Sequence, residues 1–166
     1  MLPSKLILSP IDFSSHSDEA LKVAADMASR FGAELCLVHV VPMLPRLPSV
    51  KTVFHEAEYE QALHSEAEQR LNQMAQKLSE NGLAVKTVVG TANDTGMEIL
   101  RVAEQNGADL IVIATHGLTG WHKLAFGSVT EKVLRMATCP VLVLRAQTEA
   151  ESQEASAKRD SVGAHG

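Results

Sequence analysis

Residues 108–130 read ADLIVIATHGLTGWHKLAFGSVT, an apolar run followed by a glycine-containing loop and the start of an amphipathic segment. The run from Asp109 to Thr115 has the β-branched composition of a buried strand. Ser128 follows a glycine and precedes apolar residues at helical spacing, which predicts the beginning of a helix. A glycine and a hydroxyl at a helix start expose backbone donors at the positive end of the helix dipole, an arrangement that favours an anion.

The same alternation of short apolar runs and longer amphipathic stretches extends over most of the chain, which is typical of βαβ units and a mostly parallel sheet. The predicted strands are Lys5–Ile11, Glu34–Val41, Leu83–Val89, Asp109–Thr115 and Val141–Leu144. The predicted helices run from Ser14 or Ser15 to the stop at Gly32, from Glu56 to Asn81 with a stop at Gly82, from Thr95 to the stop at Gly107, and onward from Ser128. The sequence therefore predicts five strands and four helices.

Helix faces and boundaries follow from the spacing of apolar residues and from local capping patterns. The first helix is expected to bury Leu21, Ala24, Ala28 and Phe31, the second Leu63, Ala67, Leu71, Met74 and Leu78, and the last Val129, Val133 and Met136. Gly90 is expected to begin a turn, and Thr95 with Glu98 to form a capping box.

Composition places the chain among ordinary globular proteins, with 45% hydrophobic and 21% charged residues. A net charge of -5 argues against a general nucleic-acid binder, because neutralising a phosphate backbone requires an excess of Lys and Arg. Cys36 and Cys139 lie in or beside apolar runs and are interpreted as small buried hydrophobic residues in a reducing compartment, not as a disulfide. No apolar run reaches the ~18 residues of a membrane span, so we expect no membrane contact and a cytoplasmic location.

Two segments lie outside the alternating pattern. Residues 42–55 contain Pro42, Pro45 and Pro48 and are predicted to form a surface loop. Residues 146–166 lack periodic apolar positions and are predicted to be a flexible polar tail, which leaves residues 1–145 as a single domain.

In open parallel sheets, ligands bind beyond the carboxyl ends of the strands, where the strand order reverses. This rule selects the segments after the strands, above all residues 116–128. Local chemistry alone leaves two readings of this segment open. Ser128 and Glu131 match a capping box, which would satisfy the helix donors internally, and the same donors could instead hold a phosphate.

The spacing Ala114-x2-Gly117-x9-Gly127-Ser128 resembles the G-x2-G-x9-G-S/T signature of the ATP-binding branch of the universal stress protein family. SPIDFS at residues 9–14, LVHVV at 37–41 and GSVTEKVLRMATCPVLVL at 127–144 carry the resemblance along the chain from Lys5 to about Arg145. It implies a doubly wound, Rossmann-like α/β fold with a five-stranded parallel sheet in the order 3-2-1-4-5. It also implies a homodimer that binds ATP between strands one and four.

The resemblance assigns roles to individual positions. Adenine and ribose contacts are implied for Pro10, Asp12 and the backbone of Val40. Contacts to the ribose and phosphates are implied for Ala114, His116, Gly117 and Thr119, and a phosphate cradle for Gly127, Ser128, Val129 and Thr130. Asp12 has an alternative role as a cap of the next helix. No metal-ligand set is evident, and magnesium is expected to arrive with the nucleotide.

Ala114 departs from the signature, which has glycine at its first position. A Cβ costs on the order of 1 kcal/mol where φ is positive, but alanine fits easily where the backbone is strand-like. Since Ala114 ends a predicted strand, we expect the substitution to be tolerated.

The resemblance and the residues leave three kinds of function open. The first is an ATP-binding regulatory module of a stress response. The second is a slow ATPase or phosphoryl-transfer enzyme, which is disfavoured because the loop shows no positioned base or Walker-type lysine. The third is a dimeric interaction protein with a vestigial nucleotide site. A homodimer is expected through the apolar edge strand Val141–Leu144, since pairing would cover that edge.

Overall fold

The computed structural model describes residues 5–43, 53–115 and 126–145, with the side chains of 53–56 left out. The elements are β1 (Leu6–Pro10), α1 (Ser15–Phe31), β2 (Glu34–Pro42), α2 (Val53–Glu80), β3 (Val85–Ala92), α3 (Thr95–Asn106), β4 (Leu110–Ala114), α4 (Ser128–Met136) and β5 (Val141–Leu144). All pairings are parallel, and the sheet order is β3-β2-β1-β4-β5. The predicted fold class, strand order and number of elements are confirmed.

The sheet is covered by helices on both faces. Alternate residues of β2 belong to two separate core clusters, with Cys36 and Val38 in one and Leu35 and Leu37 in the other. The first cluster includes side chains of α3 and α4, and the second includes side chains of α1 and α2. Burial on both faces explains why β2 is a nearly continuous apolar run.

Three glycines end helices or turns in the left-handed conformation. Gly32 and Gly107 cap the carboxyl ends of α1 and α3 with φ of 63° and 64°, and Gly82 follows α2 with φ of 85°. A residue with a Cβ is strained at these positive φ values, so glycine is preferred at all three positions. The three helix stops predicted from the sequence are confirmed.

Helix starts were predicted less well. Ser14 caps α1, as one of two expected positions, because its hydroxyl accepts from the Ser17 N–H. The expected capping box of Thr95 with Glu98 is wrong, because Asp94 is the N-cap of α3 and accepts from the Met97 N–H. The aspartate one residue earlier accepts from the Met97 N–H with a charged oxygen, whereas Thr95 as the cap would have accepted from the Glu98 N–H with a hydroxyl.

Two strands extend beyond their predicted ends. Gly90 does not begin a turn but pairs with Val40 inside β3, where the Glu98 side chain occupies the space that a Cβ would need. Pro42 pairs with Ala92 at the end of β2. The backbone N–H and carbonyl groups of the even-numbered β2 residues point toward β1, and β1 ends before the level of Pro42. The missing N–H of Pro42 therefore removes no sheet hydrogen bond.

Two expected core residues are exposed. Phe31 is the last residue of α1, and Ala33 is buried after the turn instead. Met136 is the last residue of α4, and Thr130 is buried on that helix together with Val133. In both helices the buried face ends before the final residue, where the chain turns back toward the sheet.

The tail 146–166 and residues 44–52 of the predicted loop lie outside the described residues. The predicted bounds 42–55 are too wide at both ends, because Pro42 belongs to β2 and residues 53–55 belong to α2. Both cysteines are free, and Cys36 is fully buried as expected, whereas Cys139 is only partly buried because it lies in the turn before β5. None of the helices in the described ranges combines the length and apolarity needed to cross a membrane.

Candidate functional site

A cavity of about 530 Å³ opens at the carboxyl end of the sheet, where the strand order reverses between β1 and β4. We call it the switch-point cavity. Its lining comes from the ends of β1, β2 and β4 and from the starts of α1, α3 and α4: Pro10, Ile11, Asp12, Ser17, Val38, His39, Val40, Pro42, Thr95, Ile99, Ile113, Ala114, Gly127, Ser128, Val129 and Thr130. The volume lies in the range of small-molecule sites.

Eight of the eleven residues assigned from the sequence line this cavity: Pro10, Asp12, Val40, Ala114, Gly127, Ser128, Val129 and Thr130. The other three, His116, Gly117 and Thr119, lie outside the described residues, as does Trp121. Residues separated by more than a hundred positions in the sequence are thus brought to one concave surface.

The start of α4 forms one wall. Gly127 is the N-cap, with extended φ and ψ of -61° and 153°, and its N–H donates to the Thr115 carbonyl at 2.9 Å. Ser128 is therefore the first helical residue, and within the described ranges no side chain caps this helix. The capping box of Ser128 with Glu131 is not formed, because Gly127 and not Ser128 is the N-cap. Glu131 Oε1 lies 3.7 Å from Nη1 of Arg135.

This helix start differs from those of α1 and α3, where Ser14 and Asp94 accept from backbone N–H groups. The first N–H groups of a helix have no partner inside the helix. With glycine as the cap, the donors of Ser128, Val129 and Thr130 face the cavity without a side-chain acceptor from the described residues.

Thr130 and Ala114 join α4 to the end of β4. The Thr130 hydroxyl is buried and donates to the Ala114 carbonyl at 2.8 Å, which leaves its backbone N–H as the group to offer a ligand. Ala114 lies within β4, and Phe13 is the only non-glycine residue of the described ranges with positive φ. The expectation that alanine fits at position 114 is therefore confirmed.

The loop between β1 and α1 forms the opposite wall. Asp12 Oδ1 accepts from the Ser14 N–H at 3.0 Å and from the Ser14 hydroxyl at 2.5 Å. Asp12 thus fixes the residue that caps α1 and is not itself the N-cap. Phe13 adopts φ of 62°, a conformation that costs a bulky side chain on the order of 1 kcal/mol.

His39 holds this loop from β2. Its Nδ1 donates to the Ile11 carbonyl at 2.7 Å, and its ring lies 4.5 Å from the ring of Phe13. The guanidinium of Arg70 lies over the Phe13 ring, with its central carbon 3.8 Å from the ring centroid. These contacts offset the strain at Phe13 and position Asp12 beside the cavity.

Burial lowers the pKa of His39 below its ordinary value, against the hydrogen bond to Ile11 and the charge of Asp12, which raise it. The charge of Arg70 acts in the same direction as burial. The neutral ring is therefore favoured, with the proton on Nδ1.

The end of β2 directs backbone groups toward the cavity. Even-numbered residues of β2 face β1: the Glu34 N–H donates to the Lys5 carbonyl, and the Val38 carbonyl accepts from Ile11 at 2.7 Å. Because backbone groups alternate along a strand, Val40 also faces that side. The strand β1 ends at Pro10, which pairs with Val38, so Val40 directs its N–H and carbonyl beyond the end of β1.

Sequence reasoning missed half of the lining. The missed residues are Ile11, Ser17, Val38, His39, Pro42, Thr95, Ile99 and Ile113. Val38 could have been predicted from the alternation of side chains along a strand, because it shares a face with Val40. Thr95 and Ile99 could have been grouped together, because residues four positions apart lie on one face of a helix. The remaining positions depend on where each strand ends, which apolar patterning leaves undefined.

The part of the lining that the structure describes contains Asp12 but no lysine or arginine. Across the described ranges, no group of three or more His, Cys, Asp or Glu residues could hold a metal ion.

The model of the Universal stress protein family matches residues 3–145 of the chain. Universal stress protein MJ0531 of Methanocaldococcus jannaschii is 35% identical over 146 residues, which are 85% of this chain and 82% of that protein. The solved structure of protein MJ0577 from the same organism has a TM-score of 0.76 and 30% identity, over 89% of this chain and 100% of that one.

A universal stress protein from Archaeoglobus fulgidus, solved in complex with dAMP, has a similar fold. Its TM-score is 0.58 at 21% identity, over 86% of this chain and 98% of that one.

Proposed function

Because the chain belongs to the universal stress protein family, we propose that it is an ATP-binding regulatory module with its nucleotide in the switch-point cavity. The observation that carries this proposal is the convergence of eight assigned residues on one cavity at an uncapped helix start. A related fold from Archaeoglobus fulgidus in complex with dAMP supports an adenine nucleotide as the ligand.

The adenine base is assigned to the end of β2. Val40 offers one N–H donor and one carbonyl acceptor past the end of β1, which suits the adjacent acceptor and donor on the edge of adenine. Apolar side chains of Pro10, Val38 and Ile99 line the same region and suit a flat aromatic base. Asp12, fixed by Ser14, is assigned to the ribose.

The phosphates are assigned to the start of α4. Backbone donors of Ser128, Val129 and Thr130 and the helix dipole attract an anion there, and Gly127 lets it approach closely. Ala114, at the end of β4, borders this site. His116, Gly117 and Thr119 are assigned to the ribose and phosphates on their place in the signature. The magnesium of Mg-ATP is assigned to the phosphate oxygens of the nucleotide.

The regulatory unit is proposed to be a cytoplasmic homodimer. β5 is an edge strand that pairs only with β4 in the described residues, and its four side chains are partly buried. Two copies of β5 paired about a two-fold axis would remove two exposed edges at once.

Titration with ATP and assay of phosphate release in the same samples test the proposal. Saturable binding without turnover is expected. Binding followed by steady phosphate release would replace the module with a slow ATPase. Absence of heat in calorimetry, together with unchanged emission of Trp121, would contradict nucleotide binding and leave an interaction protein with a vestigial site.

A further inference from the structure

A charged pair joins the starts of α3 and α4 beside the switch-point cavity. Lys132 of α4 is hydrogen-bonded through Nζ to Oδ2 of Asp94, the N-cap of α3. Asp94 is followed by Thr95, and Thr95 lines the cavity. The pair therefore stands next to the cavity wall without belonging to it.

The geometry of α4 and its packing against α3 direct the Lys132 side chain toward Asp94. Lys132 follows Ser128 by four residues, so both lie on one face of α4 about 6 Å apart along the axis. Helical side chains lean toward the amino end, which brings the Lys132 stem toward Ser128. The stem crosses α3 at Gly96, where an added Cβ would lie 3.0 Å from Lys132 Cδ and 3.1 Å from its Cβ.

Asp94 does not depend on Lys132 for its role as a cap. The same carboxylate accepts from the Met97 N–H at 3.1 Å through Oδ1. The hydrogen bond to Lys132, and to a smaller extent the one to the Met97 N–H, lowers the pKa of Asp94. The pair is also well exposed, at 39% for Lys132 and 43% for Asp94, so its exchange for another partner costs little.

We propose that Lys132 is a specificity-determining residue that exchanges Asp94 for the outer phosphates of the nucleotide. The proposal rests on the proposed function and adds to it a basis for preferring ATP over AMP. Among the described residues, the lining supplies no lysine or arginine, whereas a triphosphate carries several negative charges. The ammonium, which is held at Asp94 beside the cavity wall, is assigned to the phosphates beyond the first, which AMP lacks.

Calorimetric titration of the full chain with AMP and with ATP tests the proposal. Lys132→Met retains the apolar stem and is expected to weaken ATP about tenfold, as for loss of a charged hydrogen bond, and AMP less than about twofold. Lys132→Arg should retain the preference for ATP. Arg135→Met removes a positive charge from the same helix and should leave both affinities unchanged.

Equal weakening of AMP and ATP by Lys132→Met, or no weakening, would overturn the proposal while leaving nucleotide binding intact. The double variant Asp94→Asn Lys132→Met separates direct contact from simple neutralisation of Asp94. Recovery of ATP affinity in this double variant would also overturn the proposal, whereas continued weakness supports it. A wild-type chain that binds neither nucleotide would contradict the proposed function itself.

Discussion

Gly127 is the residue on which the assignment of the phosphates depends. Its φ of -61° is open to any residue, and a Cβ there would meet the Thr115 carbonyl at 3.4 Å, an ordinary contact. Glycine at this position is therefore explained by the close approach of a ligand, and not by a backbone conformation that only glycine can adopt. The contribution of Gly127 to binding can therefore be measured separately from its contribution to folding.

The variant Gly127→Val is expected to lose ATP affinity by at least about tenfold while changing the free energy of unfolding by less than about 1 kcal/mol. The branched side chain fits the extended backbone but occupies the cavity wall. Calorimetry and thermal unfolding measure the two effects, and Gly127→Ala provides an intermediate step. Wild-type affinity in the valine variant would show that the phosphates lie elsewhere.

His39 gives the chain a pH-dependent term in stability. Its folded pKa lies below the ordinary value of 6.5, so the unfolded chain binds more protons between the two values. Unfolding free energy should therefore fall as the pH drops below 6.5 and level off below the folded pKa. Urea denaturation at a series of pH values, with NMR titration of the ring, measures this.

The variant His39→Asn keeps a side-chain donor for the Ile11 carbonyl and cannot charge. It should flatten the dependence between the two pKa values. An unchanged slope in the variant would assign the dependence to another group.

Among the elements, β3 and α3 fit together through Gly90. An added Cβ at this position would lie 2.6 Å from Glu98 Oε1 and 2.8 Å from Glu98 Cγ. Gly90→Ala is expected to destabilise the fold by about 1–2 kcal/mol, because the Glu98 side chain must leave its place and its contacts with Arg101. Chemical denaturation measures the loss.

Removal of the obstructing side chain provides the control. In the Glu98→Ala background, Gly90→Ala should cost less than about half of its value in the wild type. Equal costs in both backgrounds would trace the effect to the backbone of β3.

The elements also show what the sequence could predict. Strand runs such as Val141–Leu144 and stops such as Gly32 were readable because apolar patterning and positive φ are local properties. The N-cap of α3 was misjudged because Asp94 and Thr95 are adjacent and both suit a cap, so the sequence does not choose between them. Gly90 was misjudged because the end of β3 depends on its pairing with Val40 of β2, which is far away in the sequence. In the same way the signature located Gly127, whereas Ile99 and Thr95 enter the cavity through the packing of α3 on the sheet.

For the whole molecule, dimerisation through β5 can be tested without disturbing the sheet. The Pro140 and Leu144 carbonyls accept from β4, so the even-numbered residues of this strand face β4 and Val143 faces outward. Val143→Pro should remove an outward donor, retain the fold and yield a monomer of 17.9 kDa, where the wild type has about twice that mass.

Leu142→Pro is the matched variant, since it removes a donor that faces β4 and should destabilise the fold. Light scattering gives the mass and thermal unfolding gives the stability. A wild-type mass that stays at that of one chain at all concentrations would contradict the dimer.

An adenine nucleotide in the switch-point cavity can be detected by calorimetric titration of the purified full chain with ATP. We expect saturable binding at one site per chain, and no comparable heat in the same titration of Gly127→Val. No heat from the wild-type chain at millimolar ATP, with the fold intact by circular dichroism, would contradict this expectation.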